Sequence, residues 1–276
     1  MNLFFRCMVV MVSVMIVLSQ LSNETIYSTV DRTQYYVDLE NNGIIERFTP
    51  SLPNLPYNDI EMSISASEYL AQNRYEDAID IYQSELERNP NDPWLLCSIA
   101  KIYCDYMDDY EKAFSLYKEA YTYSPNNPIA IVGYGYIQLV LKNYESSLFL
   151  LNEFTSTCDF DDPIDQTYAI EAFGIIAEAA YNLGDGNLIS NALQSLLQLD
   201  ENDLSVFIGV MHAYNIQIIY CYANKEYDKL ISYIKEYETF LDKSEYDKST
   251  LRQLYDTCWS VELFDYCEEL KQMLKV

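Results

Sequence analysis

A tyrosine, a glutamate, any residue and then a small one recur at near-constant spacing along this chain. Tyr75-Glu76-Asp77-Ala78, Tyr110-Glu111-Lys112-Ala113 and Tyr144-Glu145-Ser146-Ser147 lie 35 and then 34 residues apart. A period of this length describes small units, each unable to bury its own apolar face, that build a continuous core only by stacking on their neighbours. Architectures of this kind are binding surfaces far more often than they are catalysts. The period therefore constrains the fold strongly and the ligand not at all.

Within each unit the apolar positions follow a helical period. From Asp59, Ile60, Ile64, Tyr69 and Leu70 share one helix face, and Gln72-Asn73-Arg74 breaks it. A second helix carries Tyr75, Ala78, Tyr82 and Leu86 and stops at Asn89-Pro90-Asn91-Asp92. The next unit repeats this with Leu96, Ile99, Ala100 and Tyr103, then Tyr110, Ala113 and Tyr117, ending at Ser124-Pro125-Asn126-Asn127. Pro93 and Pro128 suit the first turn of the following helices. Ala66, Ala100 and Gly135 on first helices, and Ala78, Ala113 and Ser147 on second helices, are small where the two must approach closely.

These residues resemble the tetratricopeptide repeat family. The matching units are 59–92, 93–127, 128–160 and, after an insertion around Cys158–Asp165, 170–203. The resemblance decays over 204–276, which reads as degenerate repeats or capping helices. It implies an all-α, right-handed superhelix of about five to six antiparallel helix pairs, whose first helices line a concave groove that holds a peptide. Carried over by position, the groove comprises Trp94, Cys97, Lys101, Val132, Tyr136, Leu139, Glu171, Glu178 and Tyr181. Lys101 is the one basic residue among them, so the carboxylate clamp of chaperone-binding members is missing. An extended segment with apolar and basic side chains suits this lining better.

Charge points the same way. The chain has 43 acidic and 17 basic residues and a net charge of −26. Nucleic acid and anionic membrane surfaces are repelled by such a chain, whereas a neutral or basic protein partner is accommodated. From Asn143 to Asn224 there is no Lys or Arg, while twelve acidic residues fall in that stretch. It reads as a solvated face or as a surface for a basic partner.

The first residues carry a different signal. Leu3–Leu21 is largely apolar behind Arg6, which fits a cleaved secretory signal or an uncleaved membrane anchor over residues 1–21, and places the rest of the chain outside the cytoplasm in either case. Residues 22–58 contain Pro50, Pro53 and Pro56 and read as an extended linker. Asn23-Glu24-Thr25 matches a glycosylation acceptor.

No constellation for catalysis emerges. His212 is the only histidine, there is no phosphate-cradling glycine loop, and Asp159–Asp165 lacks the central Gly and closing Glu of a calcium loop. The seven cysteines form no Cys-x-x-Cys and most read as small core residues, although Cys258 and Cys267 sit on successive helices and could meet. The sequence thus predicts a non-catalytic adaptor without metal or cofactor, exported or membrane-anchored. The alternative is an acidic inhibitor or immunity-type protein covering a basic site. A third reading places a degenerate active site around His212 in 204–276.

Overall fold

The computed structural model describes residues 65–199 (67 and 71 excepted), 203–243, 252 and 261–274. The apolar N-terminal segment, the proline-containing linker and Cys258 lie outside the described residues. Among the described residues every regular element is a helix. After a helical turn ending at Leu70 come α1 (Tyr75–Leu86), α2 (Pro93–Asp105), α3 (Tyr110–Tyr123), α4 (Pro128–Val140) and α5 (Tyr144–Thr157). They are followed by α6 (Pro163–Leu183), α7 (Gly186–Leu196), α8 (Leu204–Ala223), α9 (Tyr227–Asp242) and α10 (Val261–Leu274). From α1 to α9 each helix packs on the next, α10 packs on α8, and the first helices of successive pairs also pack on one another, α2 on α4, α4 on α6 and α6 on α8.

The helix starts are written in the sequence. Asp92, Asn127, Asp162 and Asp203 cap the four first helices, each accepting from backbone N–H groups of the opening turn. In three of the four a proline follows at the first helical position, where its missing N–H costs nothing. Asp162 Oδ1 accepts from the Ile164 and Asp165 N–H groups at 2.8 and 3.2 Å. Asp162→Ala is expected to cost about 1 kcal/mol, read as a lower urea midpoint with an unchanged slope.

One turn joins every first helix to its second. Asn73, Asp108, Lys142, Gly184 and Lys225 all adopt the left-handed conformation, with φ between 52° and 74°. The following residue then donates its N–H back to a carbonyl of the first helix: Arg74 to Tyr69, Asn143 to Gln138, Asp185 to Ala180 and Glu226 to Cys221. This is the Schellman way of satisfying orphan carbonyls at a helix end. In the second unit Asp109 reaches Tyr103, one residue further back, which absorbs the extra residue of that turn. Only Gly184 takes this backbone without a Cβ penalty. At Asn73 and Asp108 the side chain has a second task, since Tyr75 Oη donates to Asn73 Oδ1 and Tyr110 Oη to Asp108 Oδ1, both at 2.8 Å.

The Tyr-Glu-x-small motif sits immediately after this turn. Its small residues, Ala78, Ala113 and Ser147, are fully buried. Ile189 and Leu230 occupy the same place in the two later pairs and are also fully buried. Small size matters because the backbone approaches: a Cβ on Gly135 would stand 2.6 Å from the Leu151 side chain, and Ser147 Oγ donates to the Gly135 carbonyl at 2.8 Å.

The left-handed turn residues are spaced 35 and 34 residues apart in the first half and 42 and 41 in the second. The added length lies in the first helices, which grow from 13 residues in α2 and α4 to 21 in α6 and 20 in α8. The sequence reading opened a fourth unit near Ile170, after an insertion. In the structure α6 begins at Pro163, 35 residues after Pro128, and runs unbroken through Ile170.

Two apolar clusters share α2. Leu95, Ile99 and Ile102 face back to Ala78, Ile79 and Tyr82 of α1. Leu96, Cys97, Ala100 and Cys104 face forward into a core that continues to Leu270 of α10. From Val206 to Ile219 every residue of α8 is buried. Ser205–Ala223 is long and apolar enough to cross a membrane, but 83% of it is enclosed by the other helices.

Candidate functional site

The nine residues assigned to the groove divide in two. Trp94, Lys101, Glu171 and Tyr181, on α2 and α6, are partly exposed. Cys97, Val132, Tyr136, Leu139 and Glu178 are buried, which corrects their reading as lining residues. The cause is the close packing of the first helices on each other. Residues one step round the helix from the open face are swallowed by the neighbouring first helix, and positional carry-over cannot separate the two rows.

The buried five have structural partners. Tyr136 Oη donates to Asp105 Oδ1 at 2.7 Å, and its ring meets Tyr117 edge-on at 6.4 Å. Burial, and next to it the Asp105 charge, hold the Tyr136 hydroxyl well above its ordinary pKa. Burial likewise pushes the Cys97 and Cys104 thiols far up, so neither is a nucleophile. Glu171 of α6 is the largest charge contribution at Cys97 of α2, two first helices away. α2 packs on α4 and α4 on α6, so these first helices lie side by side.

Glu178 and His212 form the one buried pair of opposite ionisable types in the described core. Glu178 Oε1 lies 3.1 Å from His212 Nε2, with side chains 6% and 0% exposed. The contact joins α6 to α8 inside the stack.

The acidic stretch also acquires structural tasks. Asp162, Asp185 and Asp203 spend a carboxylate oxygen on capping α6, α7 and α8. In the Asp159–Asp165 segment, Asp165 Oδ2 accepts from the Asp159 N–H at 2.9 Å and Asp159 Oδ1 from the Asp161 N–H at 3.0 Å. Among the described residues no group of three metal-ligating side chains comes together.

Two clefts open between the pairs. One, of about 630 Å3, lies at the α6–α7 and α8–α9 turns. Its polar groups are tied to one another, Tyr220 Oη donating to the Gly184 carbonyl at 2.9 Å and Ser190 Oγ lying 3.0 Å from Tyr233 Oη. The other, of about 440 Å3, lies between α5 and α7 over α6.

No protein-family model matches this chain, and no curated protein is similar to it. Two solved structures of MamA are similar to it at 16% and 17% identity, each with a TM-score of 0.45. They cover 64% and 69% of this chain and 95% and 96% of their own. A solved tetratricopeptide repeat protein from Parabacteroides merdae is similar at 13% identity, over 82% of this chain and 95% of that one, with a TM-score of 0.40. Antiparallel helix pairs, a common left-handed turn between their members and small residues at their contacts make this chain a tetratricopeptide-like array.

Proposed function

We propose that the protein is a non-catalytic interaction module that holds an extended peptide or a partner helix on the face formed by its first helices. The observation that carries this reading is the packing of α2 on α4 and of α4 on α6, which sets these first helices side by side with Trp94, Lys101, Glu171 and Tyr181 partly exposed on them. Trp94, Lys101, Glu171 and Tyr181 stand on that face above a sealed core. Trp94 and Tyr181 supply aromatic anchoring surface, Lys101 and Glu171 one charge of each sign, and the chain's net charge of −26 favours a segment with apolar anchors and basic side chains. The apolar run 3–21 supports a location outside the cytoplasm, by export or by anchoring.

The acidic-inhibitor alternative draws on the 143–224 stretch. Three of its carboxylates cap helices and Glu178 is buried, so part of that stretch has a structural task.

The test uses the full-length protein with a photo-crosslinking residue at Lys101 or at Glu171. Both positions are expected to trap the same partner in cells, and the exposed Glu87 is expected to trap none. Trp94→Ala and Tyr181→Ala should each weaken that partner about tenfold, a loss typical of a buried aromatic anchor. Unchanged affinity in both variants, with melting curves like the parent's, rejects the reading.

A further inference from the structure

We infer that the cleft between α5 and α7 is a second docking site, for a protein segment with an apolar centre and basic flanks. It lies on the second-helix side of the array and is independent of the face proposed above. Its floor is Phe173 and Ile176 of α6, with Ala192 and Leu188 of α7 and the ring of Phe160. The Phe160 ring lies parallel to that of Phe173, with centroids 6.4 Å apart. Phe173 belongs to the core, whereas Phe160 is 38% exposed.

The rim consists of amides and hydroxyls: Asn152, Thr155 and Ser156 on α5, Asn191 and Ser195 on α7, and Gln198 just beyond it. Thr155 and Ser156 return their hydroxyls to carbonyls of their own helix, and Asn152 gives its amide to Leu148. On α7 the stripe 191, 195, 198 is one helix face, with its amides turned to solvent. No charged side chain lines a cleft that sits inside a twelve-carboxylate stretch. A neutral trough of this size is within the range of specific binding sites.

A second observation comes from Phe149. It is 75% exposed, the most exposed of the large apolar residues described. It shares the α5 stripe of Asn152 and Ser156, about 10 Å from the latter at 1.5 Å per residue. The fold makes no use of this ring, and it extends the trough of the cleft towards the start of α5. Two exposed phenylalanines bracketing a neutral trough form an apolar patch with a direction. Glu153, Asp159 and Asp161 are exposed sequence neighbours of lining residues, and no Lys or Arg occurs from 143 to 224 to offset them. Charge complementarity therefore selects lysine or arginine on either side of the apolar centre.

The test titrates the full-length protein with a short fluorescent peptide that has a Leu-x-x-Leu-Phe centre between pairs of lysines. Two control peptides replace the lysines by glutamates or the apolar residues by serines. Saturable binding of the first peptide, at least about tenfold tighter than either control, is expected. Asn191→Trp, which fills the cleft from an exposed position, should weaken it about tenfold or more, and Phe149→Ser and Phe160→Ser about fivefold. All titrations are made in the Trp94→Ala/Tyr181→Ala background, which disables the first-helix face and so separates failure of this site from failure of that one. Absence of saturable binding overturns the proposal, as does binding that survives Asn191→Trp or the serine control. Self-association of the protein that is lost in Phe149→Ser would assign the patch to a second copy and overturn it too.

Discussion

His212→Leu is expected to cost about 3–5 kcal/mol of stability, although the new side chain is apolar and of similar size. The reason is Glu178. Its carboxyl lies 3.1 Å from His212 Nε2 within the α6–α8 contact, where neither side chain meets solvent. Without the imidazole the Glu178 carboxyl is left in the core beside a hydrocarbon, and its 3.1 Å contact to His212 is lost. The pair itself need not be stabilising. A buried ion pair replaced by apolar groups of like volume is often neutral or better. The combined variant Glu178→Met/His212→Leu is therefore expected to recover most of the loss. Chemical unfolding of the parent, both single variants and the double gives the answer. A single-variant loss below about 1 kcal/mol, or a double variant no better than His212→Leu, would refute the assignment of the pair as mutually dependent.

The second large effect lies where α4 meets α5. Leu151 is fully buried, and it fills the space that the absent side chain of Gly135 leaves open. Leu151→Ala is expected to lose about 2–5 kcal/mol through transfer and cavity terms together. Gly135→Ala alone is expected to lose about 1–3 kcal/mol, because the added methyl meets Leu151 at a distance no relaxed contact shows. The two changes should not add. Once Leu151 is shortened, the methyl at position 135 occupies part of the vacated volume, so the double variant should be at least about 1 kcal/mol more stable than the sum of the singles predicts. A cycle that is additive within about 0.5 kcal/mol would mean that the helices relax apart at this contact and that close approach is not what the glycine secures.

The period, the helix pairs and the close contacts were readable from residues because each has a local cause. Asp92-Pro93 and Asn127-Pro128 announce helix starts, and Ala78 and Ala113 announce contacts. Asp162-Pro163 carries the same start signal, yet the register carried down from Gly135 pointed to Ile170. In the structure one helix, α6, starts at Pro163 and contains Ile170. The turn at Lys142 and Lys225 was not legible, because lysine is a poor indicator of a left-handed residue and only the hydrogen bonds back to Leu139 and Tyr222 reveal it. The groove was half legible. Sequence spacing puts Cys97 and Lys101, one helical turn apart, on the same side of α2, yet Lys101 is partly exposed and Cys97 is buried. The α5–α7 cleft had no sequence signal, since it arises from how far two second helices stand apart on a lengthened α6.

The lengthening in the second half has a geometric meaning beyond size. Seven residues advance a helix by about 700°, some 20° short of two full revolutions. α8 gains such a heptad over the 13-residue first helices and keeps its contact rows nearly in phase with theirs, while α6 gains eight residues. Units of unequal height can then share one spine, as bricks of two lengths share one wall provided the longer exceeds the shorter by a whole course. In this chain the short course runs to α5 and the tall one begins at Pro163, so the joint between the two falls at the phenylalanine-edged cleft.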